Sequence, residues 1–247
     1  MTRFHIRPES ISGDRVVFDG EETRHLARVL RLQPGALVHA VDGKGRELTV
    51  RLVRVDSRVA EGDIVERGVR ASESPFPLTL AQGLPKGSKL ETVIRMATEL
   101  GIVLVIPLLL ERTVVRPDPK ESSHRLLRWR RVAKEAAKQS GRGAIPDVRA
   151  PIAFDQWLDE PRAPGLLVCL WEGERVPLSR VLPTSPPPQA TVVVGPEGGL
   201  TQKEVERLRA AGAVIGGLGP RILRTETAGP IAVALLQSRY GDLGVET

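Results

Sequence analysis

Val192-Val193-Val194 runs directly into Gly195-Pro196-Glu197-Gly198-Gly199-Leu200-Thr201-Gln202-Lys203-Glu204, and the reading of this stretch decides the fold. Three β-branched residues before a turn predict a buried strand. Thr201 and Glu204 have the Thr-x-x-Glu spacing of a capping box, so a helix starts there, with Leu200 and Val205 spaced as a hydrophobic staple. Strand, glycine turn and helix follow without a spacer. The same order then returns. Ala213-Val214-Ile215 predicts a short strand, and Gly216 to Gly229 forms a second glycine-rich loop. Pro230 suits the first turn of a last helix, where its missing N–H is not needed. Glycine loops at strand ends are where an open α/β sheet places a small-molecule site, because glycine lets a ligand approach the backbone. Neither G-x-G-x-x-G nor the P-loop pattern occurs, which disfavours a dehydrogenase or kinase.

Upstream, strand and helix alternate. Leu78 to Ala81 predicts a strand, Gln82 to Gly87 a loop, and Ser88-Lys89-Leu90-Glu91 a second capping box. Val93, Ile94, Ala97 and Leu100 follow at helical spacing, Gly101 caps the end, and Ile102 to Ile106 is a buried strand. A β-α-β order argues for a parallel sheet. Ser122 to Ser140 predicts an amphipathic helix, with Leu126, Trp129, Ala133, Ala136 and Ala137 on one face and Arg125, Arg128, Arg131, Lys134 and Lys138 around the rest. Trp129 reads as core. A short helix is expected near Phe154 to Leu158, a strand at Leu166 to Leu170, and an exposed proline-rich loop at Pro183 to Gln189.

The N-terminal part reads differently. Glu22 to Leu32 predicts a short basic helix or turn ending before Pro34-Gly35. Ala36 to Val41 and Glu47 to Val55 predict a hairpin about the Asp42-Gly43-Lys44-Gly45 turn, with Leu48, Val50 and Leu52 facing inward. Closure into a small barrel is the natural outcome. Ala71 to Pro77 reads as a linker.

Composition bounds the function. The chain has 247 residues, 41% hydrophobic, with one cysteine and four histidines. No disulfide framework or cysteine metal site is possible, and no metal is expected. Cys169, within an apolar strand, reads as a core residue. No apolar run approaches the roughly 18 residues that span a bilayer, and the start, Met1-Thr2-Arg3-Phe4-His5, lacks a signal-peptide core. A cytoplasmic protein without a membrane partner is expected. The pI near 10.0 and net charge of +6 suggest a polyanionic partner. Arg112 to Arg142 holds ten Lys or Arg against three acids, an excess larger than the net charge of the whole chain. Such a concentration is the footprint expected of a nucleic-acid binder.

G-P-E-G-G-L-T-x-x-E and L-G-x-R-I-L-R-T-E-T-A resemble motifs of the SPOUT methyltransferases, and most closely the RsmE-type enzymes that make N3-methyluridine in small-subunit ribosomal RNA. Q-G-L-P-K-G-S-K-L-E, A-T-E-L-G-I, E-R-T-V-V and R-W-x-x-V-A-K-E-A-A-K-Q-S-x-R extend the likeness, and R-H-L-A-R-V-L-R-L-x-x-G with its D-G-x-G turn resembles the family's N-terminal barrel. Met96 stands where the family usually has lysine, and Thr113 where it has serine.

The resemblance implies a fold class: α/β, a SPOUT-type parallel sheet with a C-terminal trefoil knot at 73–247, plus a small PUA-like RNA-binding β-barrel at 1–72. It implies S-adenosylmethionine as cofactor, 16S ribosomal RNA of the small subunit as partner, and a homodimer. Leu170, Gly195, Pro196, Glu197, Gly198, Gly199, Leu218, Gly219, Ile222, Leu223, Arg224, Thr225, Glu226, Thr227 and Ala228 would surround the cofactor. RNA contact falls to Arg24, His25, Arg28, Arg31, Lys86, Lys89, Arg112, Arg116, Lys138, Gln139 and Arg142. Methylation at uridine N3 requires loss of the imide proton, with negative charge developing on the ring. Arg112, Arg221 and Arg224 are candidates to stabilise that charge. Arginine is no base, so Glu197 or Glu226 would take the proton if burial raised its pKa. Methylation of another base or of a ribose 2′-hydroxyl stays open, as does a non-catalytic assembly factor.

Overall fold

The computed structural model describes residues 3–43, 45–69 and 73–244, the side chain of Val69 apart. Lys44 of the expected turn, Ala71 and Ser72 of the expected linker, and with them the 72/73 boundary, lie outside the described residues. The chain forms two compact units. One comprises Met1–Glu73 with Ala137–Ile145, the other Ser74–Ala136 with Pro146–Thr247.

The first unit contains β1 (Arg3–His5), β2 (Ile11–Ser12), β3 (Arg15–Val17), α1 (Gly20–Arg24), β4 (Leu37–Val41), β5 (Arg46–Val55) and β6 (Ala60–Val69). Among the described residues its six strands pair in the order β1-β4-β5-β6-β3-β2, parallel between β1 and β4 and antiparallel elsewhere. The expected hairpin is β4–β5, with Val38 opposite Val50 and Ala40 opposite Leu48. Every second residue faces inward, so Leu48, Val50 and Leu52 join Phe4, Val16, Phe18, Leu26 and Val38 in one core. The Asp19 carboxylate accepts the N–H groups of Glu21 and Glu22 and so caps α1. The basic segment then widens into a π turn, His25–Val29, and Arg31 follows at φ 51°.

The second unit contains β7 (Leu78–Gly83), α2 (Lys89–Glu99), β8 (Leu104–Leu109), α3 (Pro119–Ser140, whose last residues belong to the first unit), β9 (Asp147–Val148), β10 (Ile152–Ala153), α4 (Phe154–Asp159), β11 (Leu166–Leu170), α5 (Leu178–Val181), β12 (Ala190–Val194), α6 (Gln202–Ala210), β13 (Val214–Gly216) and α7 (Thr225–Tyr240). All its strand pairs are parallel, in the order β10-β8-β7-β12-β11-β13, with β9 also on β8. The strands are apolar on both sides, as a sheet covered on both faces requires. Ala81, Ile106, Cys169, Val193 and Ile215 pack with Phe154, Trp157, Val205 and Leu208 on one face. On the other side, α7 packs against β7, β12 and α2.

The Thr201–Glu204 capping box forms, and its Glu204 carboxylate also accepts the Glu111 N–H at 2.8 Å. Two expectations need correction. Ser88 is no side-chain cap, because Glu91 is drawn to Arg128 at 2.8 Å and only the Glu91 N–H returns to the Ser88 carbonyl. Pro230 is not in the first turn of the last helix. That helix starts at Thr225, and Pro230 lies inside it, where it removes one ladder donor.

Candidate functional site

Three parallel strands, β11, β12 and β13, end side by side at Leu170, Val194 and Gly216. The loops that leave them enclose a cavity of about 550 Å³. This is the carboxyl edge of the sheet, where ligands of open α/β folds bind. The volume suits a molecule of nucleoside size.

Glycine shapes the cavity because other residues would not fit. A Cβ on Gly195 would meet the backbone carbon of Gly199 at 2.7 Å. Gly199 has φ +70°, and a Cβ there would collide with the Glu172 carboxylate. The loops are also tied from below by one side chain. Gln82, fully buried at the end of β7, donates from Nε2 to Thr225 Oγ1 at 2.8 Å. That hydroxyl donates in turn to the Gly195 carbonyl at 2.6 Å. The start of α7 and the first loop are thus fixed to the same strand.

The cavity wall carries charge as well as backbone. Lys89 Nζ lies 2.8 Å from Glu197 Oε1 and 3.7 Å from Glu226 Oε2. Burial pushes the Glu197 carboxyl up. Hydrogen bonds from Lys89, its own backbone and the Lys86 N–H outweigh this and hold it below the usual carboxylate range. The same hydrogen bond to Glu197 raises the Lys89 ammonium. The condition set for Glu197 as a base, a raised pKa, is therefore not met here.

Of the expected cofactor residues, all but Thr227 line this one cavity: Leu170, Gly195 to Gly199, Leu218, Gly219, Ile222 to Glu226 and Ala228. Arg221 lines it too. Arg112 stands apart from the wall. Its Nη1 donates to the Gly198 carbonyl at 2.7 Å, so it braces the first loop. Sequence reasoning missed Gln82, Trp171, Glu172, Glu174, Val194, Gly217 and Pro220, and had Lys89 only as an RNA contact. A glutamine closing an apolar strand was the one available signal, and only for Gln82.

The expected RNA residues divide. Arg24, Arg28, Arg31, Lys86, Arg112, Arg116 and Gln139 are exposed, while His25 is half-buried with its ring 5.6 Å from that of Phe4. Arg116 donates to the Leu110 carbonyl at 3.1 Å. Lys138 lies 2.5 Å from the buried carboxylate of Glu22. Arg142 is a correction. It is only 4% exposed and pairs with Glu73 at 2.7 Å, because the exit of α3 folds back onto that carboxylate, which also takes the N–H groups of Gly143 and Ala144. Cys169 is buried, and burial pushes its thiol up to about 12, so it is no nucleophile. Among the described residues no helix is long and apolar enough to cross a membrane.

Known proteins resemble this chain along most of its length. The RNA methyltransferase domain family matches residues 72–237, and the RNA methyltransferase PUA domain family matches 18–65. Ribosomal RNA small subunit methyltransferase E of Bacillus subtilis is 38% identical, over 85% of this chain and 84% of its own length. The chain belongs to the ribosomal RNA small subunit methyltransferase E family. The Synechocystis member is 37% identical over 96% of this chain and 77% of its own. The crystal structure of the Neisseria gonorrhoeae member, bound to S-adenosyl methionine, superposes with a TM-score of 0.87 at 33% identity, covering 98% of this chain and 99% of that one.

Proposed function

We infer that this protein transfers a methyl group from S-adenosylmethionine to N3 of a uridine in 16S ribosomal RNA of the small subunit. The observation that carries the reading is the single cavity formed by both glycine-rich loops, in a chain of this family. The cavity fits the cofactor by volume and by its backbone lining, since a Cβ at Gly195 would meet backbone and Gly199 sits at φ +70°. Leu170, Gly195 to Gly199, Leu218, Gly219 and Ile222 to Ala228 would hold it. When bound, it supplies an electrophilic methyl group.

The remaining work falls to this chain's residues. Backbone groups of the two loops read the cofactor, with Leu218, Ile222 and Leu223 as its apolar bed. Gln82, Thr225 and Arg112 hold the loops in shape. Arg221 and Arg224, exposed on the cavity wall, supply positive charge for a polyanion or for charge developing on the base. In the same reading residues 73–247 thread a trefoil knot and residues 1–72 close as a PUA-like barrel that holds RNA with Arg24, Arg28 and Arg31. Cytoplasmic location follows from a ribosomal substrate. The protein acts as a homodimer, for which the apolar exposure of Ile222 (84%), Ile231 (41%) and Leu235 (48%) is the support.

The test is incubation with labelled S-adenosylmethionine and unmodified small subunits, followed by nucleoside analysis. Label in N3-methyluridine is expected. Label in another base or a ribose would retain the scaffold and overturn the substrate. Cofactor binding without transfer to any RNA would favour an assembly factor.

A further inference from the structure

The two carboxylates on the cavity wall are not equivalent. Glu197 Oε1 accepts from Lys89 Nζ at 2.8 Å and from the Lys86 N–H at 3.1 Å. Glu226 differs. Its Oε2 is a buried oxygen without a hydrogen-bond donor among the described residues. Lys89 reaches it only at 3.7 Å, beyond hydrogen-bond length. At the other carboxylate oxygen, Arg224 Nη1 stands 4.0 Å from Glu226 Oε1. Buried acceptors without a donor are rare and call for a reason. Each oxygen of Glu226 therefore has a cation near it but beyond hydrogen-bond length.

The order along the wall is donor, acceptor, donor. The imide edge of uracil presents the complement: carbonyl oxygen, N–H, carbonyl oxygen. We propose that Glu226 accepts the imide N–H of the target uracil and takes its proton, with Lys89 and Arg224 as donors to the two flanking carbonyl oxygens. This rests on the uridine N3 reading above. The N3–H bond breaks, the proton passes to the Glu226 carboxylate, and the electron pair stays on N3 as its nucleophilic lone pair. The negative charge spreads to the carbonyl oxygens, which face the two cations. Glu226 is 21% exposed, and rotation about its last bond presents either oxygen to the cavity. Cytosine carries a lone pair at N3, which the carboxylate repels, so the same group sets specificity. Glu197 is then a positioning residue: it fixes the Lys89 ammonium beside Glu226. The other charged groups on the wall are Glu172, Glu174 and Arg221.

The decisive contrast is Glu226→Gln against Glu197→Gln, both nearly isosteric. Binding to the cofactor-free protein is measured for short RNAs spanning the methylated nucleotide, with uridine, cytidine or N3-methyluridine at that position. Single-turnover transfer to small subunits is measured against pH. The wild type is expected to prefer uridine by about tenfold. E226Q loses that preference, slows transfer by about 100-fold, and lacks the acid limb of the wild-type profile, while cofactor affinity by calorimetry stays within about threefold. E197Q loosens Lys89 and so weakens the preference in part, but it keeps the acid limb because Glu226 is intact. An E226Q protein that retains the uridine preference, or makes N3-methyluridine at the wild-type rate, overturns the assignment. Wild-type label in another nucleoside overturns the uridine reading itself, and is seen before any variant is made.

Discussion

The glycine-rich loops and the basic helix α3 carry the two loudest signals in the sequence, and folding treats them in opposite ways. The loops keep their meaning: residues 30 positions apart come together on one cavity, tied through Gln82 and Thr225. At least half of the charge run is absorbed. Arg125, Arg128, Arg130, Lys138 and Arg142 each pair with a carboxylate, at Glu121, Glu91, Asp147, Glu22 and Glu73. Glycine patterns encode backbone geometry that only the local chain can satisfy. A run of like charge only states a requirement, and acids distant in sequence can meet it.

If that contrast is right, the largest effect on cofactor binding comes from adding a single methyl group to the first loop. Gly195→Ala sets a Cβ against the backbone of Gly199, and backbone cannot swing aside. Overpacking of this kind costs about 1–3 kcal/mol, which is about 5- to 150-fold where it falls on binding. Calorimetry with S-adenosylmethionine should find weaker binding, with the melting temperature lowered by a few degrees. Unaltered affinity would mean that the loop is not the rigid cradle described here.

The charge run gives the next effect, on stability. Lys138→Met leaves the Glu22 carboxylate, 1% exposed, without this counterion. Breaking a buried pair costs about 3–5 kcal/mol. Thermal melting should report the loss, with little dependence on salt, since buried pairs are poorly screened. A salt-sensitive or negligible change would return Lys138 to the surface and to RNA.

These two cases explain what the sequence made legible. The β-α-β order, the β4–β5 hairpin and the Thr201–Glu204 box rest on short-range rules, and the structure forms all three. Gln82 was hidden because its partners are 113 and 143 positions away. The Ser88 box failed for the same reason, since Arg128, 37 positions on, claims Glu91. Pro230 misled because its rule places proline early in a helix, whereas the Thr225 hydroxyl, held by Gln82 and Gly195, anchors the helix start further upstream. Arg142 looked like an RNA contact because nothing nearby in sequence announces Glu73.

A smaller effect separates absorbed from free charge. Arg131 is exposed on α3, whereas Arg142 is buried. Arg131→Ala should weaken RNA binding and reduce the slope of log affinity against log salt by about one. Arg142→Ala should lower the melting point and leave that slope unchanged. The reverse pattern would mean that the Glu73 pair opens on RNA binding.

The smallest effect measures what an ion pair on the surface contributes. Arg149 grips Glu160 through two hydrogen bonds, at 2.7 and 2.6 Å, with about a third of each side chain exposed. The hydrogen bond from Arg149 holds the Glu160 carboxyl below its ordinary value of 4.5. A carboxyl depressed by folding contributes stability that is fully present above its unfolded pKa and is lost as pH falls through the folded one. The contribution is thus complete at neutral pH and fades below about pH 4.5. Solvent screening limits it to about 0.5 kcal/mol. Glu160→Gln should therefore lower stability slightly at pH 7 and not at all near pH 2, in urea melts at the two pH values. A loss as large as that of Lys138→Met would show that surface pairs in this protein are worth as much as buried ones, and would remove the distinction on which the reading of α3 depends.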